Sequence, residues 1–472
     1  MTKKKIIHLI IGPMLFALCC LLLPVSVFET LAARAAIGSV AWLAYWWVTR
    51  PVDLAVTAFL PIVINAFINM ASMSTVIANY FSETIILLFG SSILSVSMEI
   101  TGLDKRIAAK FLGVIGESLR LQLIFWFLLS TFLSAVLPNA VVCATITPIA
   151  VSMLKYAGEG EIKSSRIGSK ILLYIAYGVG VGGLFSPLGG AMNLVTVDYL
   201  QQVTGEEFMY FAWVIRFLPI MLVLLVSNII FMLRDVKKTD CLAGSKEYFV
   251  SEYKKMGKMT REETSSLILF LTATVLAFTR SVYQDLLPGL KPAYVFLVCA
   301  IIAFLITDKD KKLVMKWPDV QGKLVWELIF VFAGGLAAGS LINGSGAADA
   351  IGTVVASMGL SGGFVTVLVI VTVTLILSDV TSNTATASVA LPIVISIVNG
   401  LKLNPVPWIY IATIGVNLSY MLPTSIRAIP VGYGLEPKYM LEEGWKMSVM
   451  VIALMSLTAY LLLNYWPTFS TI

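Results

Sequence analysis

A single histidine, His8, serves 472 residues. It stands at the edge of the first apolar run, so no histidine relay can pass protons through the interior. The five cysteines, Cys19, Cys20, Cys143, Cys241 and Cys299, have neither metal nor disulfide spacing, and four of them fall in apolar stretches. Charged residues make up only 13% of the chain, against about a quarter in soluble domains. Convergent catalytic carboxylates, a Cys-His pair and a metal set are all missing from the apolar interior, which argues against a membrane-embedded enzyme. No cofactor is called for.

Apolar residues fill the space instead. They reach 58% of the chain, and mean hydropathy is +0.90. Runs long enough to cross about 30 Å of lipid recur from end to end, and only helices or closed barrels span it. Continuous runs without period-two alternation mean helices. The sequence therefore predicts an all-α polytopic membrane protein of about 11 transmembrane helices: 6–27, 31–48, 52–70, 79–112, 171–199, 208–233, 265–287, 292–306, 324–342, 406–421 and 447–463. Two further apolar stretches, 121–154 and 363–398, are each broken in the middle by polar or proline residues. Each arm is roughly 16 residues, or about 24 Å of helix, which is short for a crossing. They read as re-entrant hairpins, with one long broken helix that crosses twice as the alternative.

With the N-terminus placed in the cytoplasm, most of the 33 lysines and arginines gather on that side, in clusters such as 3–5, 105–110, 155–170, 234–261 and 309–316. Only Arg34, Arg280, Lys291 and Lys402 fall outside, while Arg216, Lys323 and Arg427 lie in or beside spans. This bias supports the orientation and the span count but does not separate hairpins from double crossings. The basic excess of the connector 234–264 reads as an orientation signal, so the expected partner is the lipid bilayer of the cell membrane and not nucleic acid. The apolar run after Lys3, Lys4 and Lys5 is too long for the core of a signal peptide and reads as a retained helix within 1–30. Trp42, Tyr45, Trp46 and Trp47 suggest an interfacial belt.

One polar stretch inside this apolar chain has an echo. Leu377 to Ile393 reads LSDVTSNTATASVALPI, and Leu133 to Ile149 reads LSAVLPNAVVCATITPI. Asn139 and Asn383, Pro148 and Pro392, Gly90 and Gly334, and Gly102 and Gly346 all stand 244 residues apart. One offset held over two regions predicts a duplication, with repeats at 31–233, containing hairpin 121–154, and 265–472, containing hairpin 363–398. An odd number of crossings separates the copies, so the second is inverted, as in alternating-access carriers. The two hairpin tips would then meet near the midplane, where helix N-termini, Asn amides and hydroxyls suit an anion. Ser382, Asn383 and Thr384 form one half of that expected site, and Asn139 is the core of the other. Asp379 reads as a hydrogen-bonded brace for its hairpin or, alternatively, a cation or proton site; Asp198, Glu206 and Glu207 read as solvated.

The paired motifs, the glycine-rich break and the Met-Leu-Pro break resemble the divalent anion/sodium symporter family, the INDY-type dicarboxylate and citrate carriers. The resemblance covers nearly the whole chain, and Ser382-Asn383-Thr384-Ala385-Thr386 matches the second family motif fully. It implies an elevator-type homodimer that holds a carboxylate between two Ser-Asn-Thr motifs, with sodium beside each, bound partly by carbonyls of two unwound segments. The departures are specific. The first motif is Pro138-Asn139-Ala140, the first unwound segment is Gly189-Gly190-Ala191-Met192-Asn193, and the second runs Met421-Leu422-Pro423-Thr424-Ser425-Ile426-Arg427-Ala428. Sodium favours several oxygen ligands, and side-chain oxygens are missing around both sites. Arg427, suited to bidentate carboxylate binding, is then expected to supply the fixed charge that sodium supplies elsewhere. The alternative is that it snorkels to the interface. The expected function is exchange of dicarboxylates such as succinate, 2-oxoglutarate or malate without sodium, with sodium-coupled dicarboxylate or citrate import as the alternative.

Overall fold

The computed structural model describes residues 3–112, 116–159, 162–237, 240–357 and 361–472. Among these the regular elements are all helices, apart from two isolated bridges, Ser118 with Cys241 and Thr307 with Leu313. The first half runs through α1 (Lys3–Leu22), α2 (Leu31–Thr49), α3 (Leu54–Thr57), α4 (Leu60–Phe67), α5 (Met73–Ala78), α6 (Glu83–Thr101) and α7 (Leu103–Leu112). It continues with α8 (Leu119–Ser134), α9 (Asn139–Tyr156), α10 (Arg166–Gly183), α11 (Ala191–Thr204) and α12 (Tyr210–Leu233). The connector contains α13 (Ser245–Lys255). Then follow α14 (Arg261–Phe278), α15 (Arg280–Tyr283), α16 (Pro292–Ala303), α17 (Trp317–Gln321), α18 (Trp326–Gly344) and α19 (Ala347–Ser357). The chain ends with α20 (Phe364–Val380), α21 (Asn383–Gly400), α22 (Pro405–Asn417), α23 (Ala428–Gly432) and α24 (Pro437–Tyr465).

Local chemistry sets these boundaries. Thr30 and Ser82 cap α2 and α6 by accepting from Ala33 N and Ile85 N, and Thr260 with Glu263 forms a capping box at α14. The expected span 79–112 ends early because Gly102 takes a left-handed conformation (φ 79°) between α6 and α7. Its counterpart Gly346 (φ 78°) separates α18 from α19 in the same way. The span 265–287 likewise stops at Phe278, 406–421 at Asn417, and 171–199 is interrupted between α10 and α11. Eight of the described helical stretches are long and apolar enough to cross a membrane, and two of them are α9 and α21, which by sequence stand not among the 11 expected spans but as hairpin arms short for a crossing. The connector 234–264 is not wholly loop, since it holds α13.

Helices α9 and α21 each begin on Asn, run for 18 residues and carry one internal proline, Pro148 or Pro392. The pairs around them fold back. The outer ends of α8 and α9 meet on the connector: Leu119 N donates to Asp240 O at 3.0 Å, Gln122 Nε2 to Ser245 Oγ at 3.0 Å, and Tyr156 packs on Tyr248, ring centroids 5.4 Å apart. The outer ends of α20 and α21 meet as well, because a Cβ on Gly362 would lie 2.6 Å from Leu403 Cδ1. Helix α12 sets the directions. Near its start Arg216 Nε donates to Thr471 O (2.8 Å), and Asn404, just past α21, donates to the neighbouring Ser470 O (2.7 Å). Beyond its end Val236 O accepts from Arg120 Nε of α8 at 2.9 Å. The two pairs thus open toward opposite ends of α12, and their tips lie between.

The expected aromatic belt differs in part. Trp42 and Trp46 cover Gly12 of α1, where a Cβ would lie 2.4 Å from each indole, and Trp47 is buried with Nε1 donating to Leu54 O. Glu207 is not simply solvated: it takes a bidentate pair with buried Arg280, Nε to Oε1 at 2.8 Å.

Candidate substrate site

The first tip is built by close packing. Pro138 holds the N-cap position of α9 without a side-chain cap, since it has no group to offer. Asn139 Oδ1 accepts from Ser134 Oγ at 2.6 Å, and Ser134 also reaches Val179 O of α10. Glycines let the backbone close in. A Cβ on Gly183 would lie 2.6 Å from Asn139 Nδ2, and one on Gly189 would lie 2.6 Å from both Ser134 O and Gly183 O. In the break after α10, Asn193 Nδ2 donates to the carbonyls of Gly183 and Ser186.

Hydroxyls and charge build the second tip. Ser382 Oγ caps α21 by accepting from Ala385 N (3.1 Å), and Thr381 and Thr386 share a 2.7 Å hydroxyl contact. Behind the tip, Asp379 Oδ1 accepts from the amides of Tyr420 and Met421 at 2.9 Å and of Leu422 at 3.5 Å. Arg427 grips the same segment from its carbonyls: Nε donates to Leu422 O (2.9 Å), Nη1 to Ser419 O (3.0 Å) and to Ser419 Oγ, and Nη2 to Thr424 Oγ1 (2.9 Å). The hydroxyl of Ser419 then donates to Asn383 Oδ1 at 3.3 Å. With its oxygen engaged and Nδ2 donating to Asn417 O (3.3 Å), Asn383 has one N–H left for a ligand.

The tips share one cavity of about 110 Å³, lined by Pro138, Asn139, Ala140, Gly190, Asn383, Thr384 and Ser425, with Leu88, Leu188 and Leu328 among its apolar walls. That is far below the few hundred Å³ of a drug-sized pocket and suits a small solute. Helices α9 and α21 both start there, so their first amides, which lack intrahelical acceptors, and the positive ends of their dipoles converge. Ser425 lines the cavity in a left-handed conformation (φ 52°) that non-glycine residues seldom hold. Asn193 and Asn417 tie the two breaks together, Nδ2 of Asn417 donating to Asn193 Oδ1 at 2.8 Å.

Three expected site residues stand behind the cavity. Gly189 and Ser382 shape the tips, while Arg427, 1% exposed, lies inside the fold and neither snorkels nor lines the cavity. Its donors are engaged by the protein's own oxygens, so its contact with the site runs through Ser419. Asp379 takes the bracing role, although its Oδ2 has no partner among the described residues. Sequence reasoning missed Ser419, Asn417 and the structural part played by Ser134. For Ser134 the 244-residue offset held a signal, because its counterpart Ser378 likewise donates to a carbonyl of the helix that follows its pair, Val416 O of α22 at 2.6 Å.

Comparison with known proteins agrees with this architecture. The sodium-dependent dicarboxylate transporter SdcS of Staphylococcus saprophyticus is 29% identical over 476 residues, covering 97% of this chain and 91% of that one. SdcS of Staphylococcus aureus is 27% identical over 482 residues with the same coverage. The crystal structure of the YdaH transporter of Alcanivorax borkumensis matches the fold with a TM-score of 0.54 over 84% of this chain and 88% of that one, at 10% identity. The family model described as citrate transporter (CitMHS) matches residues 44–415. A match over most of the sequence, on a helical fold with two broken helix pairs, places this multi-pass membrane protein in the citrate transporter family.

Proposed function

We propose that this protein carries small dicarboxylates, or citrate, across the cell membrane by alternating access, with sodium as the coupling ion. One observation carries the reading: two helix tips 244 residues apart in sequence bring Asn139 and Asn383, each at a helix N-terminus, to a single small cavity. A carboxylate at each end of the substrate would meet one tip, taking the first-turn amides and the free N–H of each Asn. Opposite opening of the two helix pairs supports an inverted repeat of 31–233 and 265–472, with re-entrant hairpins that return to the side they entered. In this reading the N-terminus is cytoplasmic, and a homodimer moves its sites by an elevator motion.

The coupling ion follows from the relatives, both named sodium-dependent dicarboxylate transporters, and this replaces sodium-independent exchange as the leading reading. Exchange is retained as a second reading for one reason. Arg427 already engages two carbonyls and two hydroxyls of the second break, oxygens of the kind a hard cation needs.

Purified protein in liposomes separates the two. Labelled succinate, malate and citrate are offered to vesicles that are empty or filled with unlabelled dicarboxylate, with and without an inward sodium gradient. Sodium-driven uptake into empty vesicles is expected. Uptake confined to loaded vesicles and indifferent to sodium would establish exchange, and no uptake of any of the acids would overturn the substrate assignment.

A further inference from the structure

Another cavity, of about 560 Å³, lies away from the substrate site, where α7, the end of α13 and the start of α14 come together. Lys110, Lys254 and Lys258 line it, and none of its described lining residues is acidic. The carboxylate that pairs with the cavity's Arg106 is spent. Glu263 Oε1 pairs with Arg106 Nε at 2.9 Å with both side chains buried, and its Oε2 closes the α14 capping box on Thr260 N. Arg106 also donates to the carbonyls of Gly257 (2.8 Å) and Met256 (3.0 Å), so it builds the wall and holds the turn that presents Lys254 and Lys258.

Below this basic rim the surface is greasy. Leu103, Ile107 and Leu267 line the cavity, and the next turns of α14 expose Ile268 (57%), Leu271 (49%) and Val275 (56%). A free phosphate or a nucleotide would match the lysines but leave the apolar wall and stripe unused. A phosphate carrying acyl chains matches both. We propose that this cavity binds the headgroup phosphate of an anionic phospholipid, with the acyl chains lying along α14. Because Arg106 fastens α7 to the end of α13, and α13 receives the outer ends of α8 and α9, the bound lipid braces the base of the first helix pair.

The test is native mass spectrometry of the full-length protein with phosphatidylglycerol and phosphatidylcholine of matched chains. Phosphatidylglycerol is expected to stay bound preferentially, and millimolar inorganic phosphate is expected not to displace it. The K110Q/K254Q/K258Q variant is expected to lose at least about tenfold of that preference, whereas K3Q/K4Q/K5Q, which removes as much charge at the start of α1, keeps it within about twofold. Equal retention of the two lipids, displacement by phosphate, or equal loss in both variants overturns the proposal. The wild-type preference and the phosphate competition decide it even where a variant fails to fold.

Discussion

The two tips share a helix start, a proline one half-helix later and an Asn at the cavity, yet they are held in place by different physics. Around Asn139 the fold relies on small residues: Gly183 and Gly189 allow backbone approach that no side chain could share. Around Asn383 it relies on an N-cap, paired threonines, and two buried charged residues that grip residues 419–424 from opposite polarities. Asp379 has Ala135 at the equivalent place in the first repeat. The two tips therefore match where they meet the cavity and differ in the support behind them. The first tip positions its Asn by shape and the second by electrostatics.

Removing charge from the second tip should break this contrast most strongly. Arg427→Leu leaves two carbonyls and two hydroxyls without donors and Asp379 without a nearby cation, and it is expected to cost about 3–5 kcal/mol of stability and abolish uptake. Adding Asp379→Asn keeps an oxygen for the three amides while removing the unbalanced charge. The double variant is expected to melt above the Arg427→Leu single variant, and a double variant whose loss equals the sum of the Arg427→Leu and Asp379→Asn losses would show that the two residues are not coupled. Thermal unfolding in detergent, alongside liposome uptake, reads both.

Steric change at the first tip comes next. Gly183→Ala puts a methyl 2.6 Å from Asn139 Nδ2, and overpacking of this kind costs about 1–3 kcal/mol. Uptake is expected to fall at least about tenfold if, as proposed, the displaced Asn139 amide meets the ligand. Gly190→Ala is the control. Its new methyl meets the flexible end of Met192, Sδ at 2.4 Å and Cε at 2.5 Å, so stability should change less; an equal loss of stability would deny that Gly183 acts by shape. A smaller effect still is expected from Ser382→Ala, which removes one cap worth about 1 kcal/mol. Substrate affinity should weaken several-fold with little change in maximal rate, and an unchanged affinity would mean that the cap does not set Asn383.

Much of this was legible in the sequence because apolar runs and a fixed offset are local or periodic signals. The breaks at Pro138 and Ser382, the matched Asn139 and Asn383, and the all-helical class follow from them. Span ends were less legible: Gly102 ends a helix by its left-handed backbone, and a run of apolar letters does not show that. The role of Arg427 was hardest to read. Its letter announces a charge at membrane depth, but which oxygens satisfy it depends on how the chain 419–424 curls, a tertiary fact. For the same reason Ser419, an ordinary serine in a Leu-Ser-Tyr run, emerged as the link between Arg427 and Asn383 only in three dimensions.

The subtlest expected change tests whether the divergence reaches the coupling ion. Ala140 lines the cavity on the first turn of α9, at the place where Thr384 lines it on α21. Ala140→Thr restores one hydroxyl without touching Gly183 or Asn139. Each oxygen ligand matters to a hard cation, which binds through several at once. Should sodium sit beside the first tip, the variant lowers the sodium concentration for half-maximal uptake a few-fold while the maximal rate stays near that of the parent protein. Uptake of labelled succinate measured against sodium in liposomes reads the shift directly. No shift, with folding and substrate affinity intact, would mean that sodium does not bind beside the first tip and that any coupling ion acts at the second.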